Sequence, residues 1–177
     1  MVKRLCACVV ALLVAGCGGP SDDEVSAYHA LIKEKHRLLG EAMVVHGQLL
    51  ERFAVDETVL DEGLFRRGEE MVFHFMDSLG APESIGRLPL PAESLRPLHE
   101  QFTQTVAHLS KSVRLVDEGA YTPRAVFEAD LEWNKARQGY LAFTSELLTL
   151  TGREDEVLAP KEDKVPVAGE VIIAPDN

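Results

Sequence analysis

The chain has 177 residues, 46% hydrophobic, 27% charged and 6% aromatic, which is enough apolar content for one ordinary domain and too much for a disordered chain. Its 13 Gly and 9 Pro exclude collagen-like and low-complexity classes. With 18 Lys plus Arg against 29 Asp plus Glu, the net charge of -11 excludes nucleic acid as an expected partner, because a phosphate backbone is bound by displacing its counterions with cations.

Residues 1–16 read as a signal peptide. Met1-Val2-Lys3-Arg4 supplies a cationic start and Leu5 to Ala15 an apolar run of 11 residues, well short of the roughly 20 that span a bilayer. The tetrad Val14-Ala15-Gly16-Cys17 that ends this run resembles the lipobox of bacterial membrane lipoprotein precursors. The resemblance covers residues 1–17 alone. It implies cleavage before Cys17, lipidation of its thiol with palmitate-type acyl chains, and retention on a membrane of the cell envelope. Gly18 stands where an Asp would favour inner-membrane retention, so the same resemblance points to an outer membrane, facing the periplasm, if the source is Gram-negative. Cys6 and Cys8 fall in the removed segment, which leaves no pair for a disulfide. Loss of Lys3 and Arg4 leaves 16 basic and 29 acidic side chains, a surface that anionic headgroups repel. Residues 17–21 then act as a lipidated tether holding the body off the membrane.

Residues 22–152 carry four helical patterns. The first runs from Ser21 or Asp22 to Phe53, with Asp22, Asp23 and Glu24 at its positive end and an apolar stripe through Tyr28, Leu31, Ile32, Leu38, Leu39, Ala42, Val45, Leu49, Leu50 and Phe53. Asp56 is placed to cap the second, whose face Leu60, Leu64, Met71, Phe75 and Leu79 ends at Gly80-Ala81-Pro82. The third begins near Ser94, tolerates Pro97 in its first turn, and shows Leu95, Leu98, Phe102, Val106, Leu109, Val113 and Val116 before Gly119. The fourth opens with Thr122-Pro123, a cap and a first-turn proline, and continues through Val126, Ala129, Trp133, Ala136, Tyr140, Phe143, Leu147 and Leu150 to Gly152.

Four such helices joined mostly by short turns predict an all-α fold, an antiparallel up-down-up-down four-helix bundle. The connection from Ala81 to Glu93 is longer than a bundle turn needs, and is expected to cap one end or carry a contact. Residues 153–177 hold seven acidic and three basic residues with three prolines, the profile of an acidic mobile tail. Val165 to Ala174 within it is more apolar than a tail requires, as if to meet its own bundle or a partner's sheet edge.

Catalytic signatures are missing. The chain has no G-x-S-x-G, phosphate loop, C-x-x-C-H or H-E-x-x-H, and no Glu followed at three by His, the spacing that di-iron bundles use. Among six histidines, His46 falls in the middle of the first stripe, as a neutral core imidazole with one hydrogen bond satisfied. Lys35 shares its sector and is expected to cover apolar surface with its stem while its ammonium reaches water. Folding the hairpins about their turns brings His36, His74 and His99 to one level with Met71 about a turn away, a donor set suited to copper or haem iron. Met71 and Trp133 otherwise read as core filling, and the acidic clusters as solvated surface. The sequence thus predicts a lipid-anchored interaction or scaffold protein of the cell envelope, without catalytic activity or cofactor and with an envelope protein as partner; the alternative is a copper- or haem-binding bundle.

Overall fold

The computed structural model describes residues 19–55 and 63–152. Residues 1–18, which hold the expected signal peptide and Cys17, residues 56–62, which hold Asp56 and Leu60, and residues 153–177, expected as a tail, lie outside them. Every regular element among the described residues is helical: α1 (Asp22–Val55), α2 (Gly63–Leu79), α3 (Pro82–Ile85), a 3-10 turn (Glu93–Leu95), α4 (Arg96–Glu118) and α5 (Pro123–Thr151). None of these helices is long and apolar enough to cross a membrane.

The helix ends follow from local chemistry. Ser21, assigned to the tether from sequence, is the cap of α1: its Oγ accepts from the Glu24 amide at 3.3 Å while Glu24 Oε2 accepts from the Ser21 amide at 2.7 Å. This reciprocal box satisfies two amides that have no partner in the first turn. Gly80 ends α2 with φ of +90° and Gly152 ends α5 with φ of +60°, a region that costs a side chain about 1 kcal/mol or more. Thr122 caps α5, its hydroxyl accepting from the Ala125 amide, with Pro123 in the first turn.

Gly119 works differently from the expected stop. Its own φ is -84°, and the left-handed residues are the next two, Ala120 at 46° and Tyr121 at 53°. A Cβ on Gly119 would meet Ala125 Cβ at 2.3 Å, so the glycine admits a close crossing of α4 and α5 while two strained residues turn the chain. Packing holds Tyr121 there: its ring centroid lies 5.8 Å from Phe53 and 5.1 Å from Phe65.

α2 packs on α1, α5 packs on both α1 and α4, and α3 with the 3-10 turn packs on α4. The stripe of α4 is buried at every predicted position from Leu95 to Val116. That of α5 is buried except at Trp133 and Leu150, which are half-buried. The stripe of α2 is rotated from its expected place. Phe65, Val72 and Leu79 enter the core, whereas Met71 is exposed. The inward face of α2 includes Gly68, where a Cβ would meet Leu49 Cδ2 at 2.8 Å; a glycine contact site leaves no mark in an apolar pattern. The Ala81 to Glu93 connection is an internal plug: Ile85 is buried, and Leu88, Leu90 and Ala92 pack against the same core.

Candidate functional site

The buried polar side chains are the first place to seek chemistry, since each must be paired to be tolerated. His36 on α1 is buried, its Nε2 is 3.0 Å from Thr144 Oγ1 on α5, and its ring stacks on Tyr140 at 4.8 Å. Burial pushes its pKa down to about 4, with His29 adding repulsion. Burial also pushes the Tyr140 phenol up to about 12, against a hydrogen bond from Thr144. His99 on α4 is buried with Nε2 at 2.8 Å from the Ile85 carbonyl and Nδ1 at 3.3 Å from Tyr28 Oη. A carbonyl only accepts, so the Nε2 carries the proton, and the Tyr28 hydroxyl donates to Nδ1.

His46 is buried as expected, with Nε2 2.8 Å from Ser112 Oγ, and Ser112 Oγ 2.6 Å from the Ala129 carbonyl. The serine proton is committed to that carbonyl, so the imidazole must donate to the serine oxygen. A Ser–His pair of this polarity is the reverse of what a nucleophile needs, where the imidazole draws the proton off the hydroxyl. Ser112 is moreover completely buried.

The predicted convergence of histidines is not seen. His36 is turned to α5, His99 to α3 and Tyr28, and His74 is exposed on α2 together with Met71. Among the described residues no group of three or more His, Cys, Asp or Glu side chains is placed to hold a metal ion. Hairpin levels alone misjudge this because they ignore rotation about each helix axis: the three imidazoles leave their helices in different directions. Lys35 also departs from expectation. Its Nζ donates at 2.7 Å to the Leu79 carbonyl, and so it neutralises the negative end of α2 rather than reaching into bulk water. Trp133 is half-buried, its Nε1 donating at 3.0 Å to the Met43 carbonyl, its ring lying where a Gly47 side chain would be.

Glu132 is the feature that the sequence reading missed. It is 6% exposed, and it accepts from Lys135 Nζ at 2.9 Å, Lys111 Nζ at 2.9 Å and His108 Nδ1 at 2.7 Å. These donors, Lys135 first, hold its carboxyl down at about 2. Its signal was present: Glu132 lies three past Ala129 and four before Ala136, within the apolar stripe. It pins α4 to α5.

On its outer side α5 exposes three large apolar residues, Phe127 at 64%, Leu131 at 48% and Leu141 at 49%. All three lie off the inner stripe of α5. No protein-family model, curated protein or solved structure matches the chain.

Proposed function

We propose that this is a lipid-anchored scaffold or interaction protein of the bacterial cell envelope, held by acyl chains on Cys17 and presenting a non-catalytic helical body. The observation that carries the reading is Val14-Ala15-Gly16-Cys17 at the end of an 11-residue apolar run behind Lys3-Arg4. Stable anchoring takes more than one acyl chain, and lipoproteins of this pattern carry two or three. The body is read as an antiparallel up-down-up-down four-helix bundle. Contacts that run in opposite directions along the chain support this: His36 meets Thr144 while Met43 meets Trp133, and His108 meets Glu132 while Gly119 approaches Ala125. The non-catalytic reading is supported by the spending of buried polar groups on one another. His36, His46, His99 and Ser112 each hold two helices, or a helix and the plug, in register.

The test is metabolic labelling with palmitate of cells making the full-length chain, followed by membrane fractionation. Label should enter the wild type and be lost in Cys17→Ala, which should also leave the membrane fraction. Equal labelling of both, or none in the wild type, ends the proposal.

A further inference from the structure

The outer face of α5 carries three exposed large apolar residues, Phe127, Leu131 and Leu141, along one stripe. Phe127, Leu131, Asn134, Gln138, Leu141 and Ser145 follow one another at alternate steps of four and three residues, the seam of a two-stranded coiled coil. Asn134 is half-buried and the other five are exposed. We infer that this face is a parallel, in-register interface between two copies of the chain.

A second copy fits because the face complements itself. In a parallel pair each seam residue meets its own counterpart, which stacks Phe127, Leu131 and Leu141 on themselves and sets the Asn134 and Gln138 amides against their twins. Amides at such positions fix register at some cost in stability. Asp130 precedes the seam residue Leu131 and Lys135 follows Asn134, five residues apart, the separation at which residues from opposite strands meet across a parallel seam. Within one chain Asp130 Oδ2 accepts from Asn134 at 3.1 Å and Lys135 Nζ donates to Glu132 at 2.9 Å, which leaves Asp130 Oδ1 and two ammonium protons of Lys135 for a second copy. Symmetry makes the resulting ion pair twice. Arg137 falls opposite Ala142, so no like charges are opposed. The antiparallel alternative fails on the same residues. A register that stacks Leu131 on Leu141 sets Lys135 against its own copy and Arg137 against its own copy. The register that pairs the charges sets Phe127 against Gln138.

Parallel pairing also puts Asp22 of both copies at the same end of the dimer, so both tethers enter one membrane. This part rests on the anchor proposed above. A seam with two amide layers is weak in dilute solution, and confinement to a membrane surface raises its effective concentration.

Single cysteines test the geometry in cells producing the full-length chain. Under mild oxidation Ser145→Cys should give a disulfide-linked dimer, because a parallel seam brings residue 145 onto itself. Arg114→Cys, exposed on α4, should not. Adding Asp130→Lys should cut the Ser145→Cys dimer several-fold, and adding Leu131→Asp instead, at an exposed seam position, should abolish it. Dimers from both cysteines alike, from neither, or without response to either substitution would overturn the inference. Fractionation of the same cells separates the two proposals: membrane-held protein without the dimer sinks the seam alone, whereas the dimer in a soluble fraction keeps the seam and sinks the anchor.

Discussion

His46 Nε2 stands 2.8 Å from Ser112 Oγ, and because that hydroxyl is already committed to the Ala129 carbonyl, the imidazole donates to it. Three helices are joined through one serine oxygen. Ser112→Ala strands the His46 N–H in an apolar core and should cost about 1 to 3 kcal/mol, the desolvation of an unpaired buried donor. Urea unfolding followed by circular dichroism measures it. A loss below a few tenths would mean that the pair is not holding the helices.

Acid should weaken the fold before its carboxylates titrate. His36 and His46 are held at about 4 against 6.5 for a free imidazole, so between those values the unfolded chain binds protons that the folded chain refuses. Their contribution is complete above 6.5 and is lost as pH falls toward 4. For each group the difference amounts to roughly 3 kcal/mol. The urea midpoint should therefore fall steeply from pH 7 to pH 4.5, and less steeply in His36→Gln. A flat midpoint across that range contradicts the burial of both rings.

Glu132 has the opposite chemistry and a lower window. Its carboxyl is held at about 2 against 4.5, so its contribution is complete above 4.5 and is lost as pH falls through 2. Its partners are 40% to 54% exposed, and water screens the attraction. Glu132→Gln should cost about 1 kcal/mol near pH 7. The gap between variant and wild type should narrow from pH 5 to pH 3; a gap that widens would show that the carboxylate is not held by its cations.

Trp133 is the single tryptophan and reports on its own packing. A Cβ at Gly47 would come within 2.5 Å of its Cζ2, so Gly47→Ala should displace the ring and cost about 1 to 3 kcal/mol. Red-shifted indole emission and easier quenching should accompany the loss. Unchanged emission would place the ring elsewhere.

Ala120 is exposed and left-handed at 46°, where its Cβ is a pure liability. Ala120→Gly should stabilise by about 0.5 to 1 kcal/mol, the relief of left-handed strain less the entropy that glycine loses on folding. Tyr121→Gly should not, because its ring packs against Phe53 and Phe65. If both variants stabilise, the aromatic contact is not what holds the turn.

The sequence by itself determined the four long helices of the described body, though not α3 or the 3-10 turn within the connection. Period, caps and stops are local, and Thr122-Pro123, Gly80 and Gly152 fix their ends through backbone geometry that needs no tertiary partner. The inner stripes of α4 and α5 were legible for the same reason, since a continuous apolar face leaves one way inward. Tertiary structure decided what depends on rotation and close approach. Gly68 is invisible to hydrophobicity yet seats α2 on Leu49, which turned Met71 outward and brought Phe65 inward. His36, absent from the apolar stripe of the first helix, became a core residue because Thr144 and Tyr140 wait on α5, while His99 found its partners on α1 and α3. Glu132 looked like an acid within an apolar stripe until α4 placed Lys111 and His108 beside it. Spacing along one helix is written in one stretch of chain; the partner that satisfies a buried polar group lies far along the sequence, and only packing chooses it.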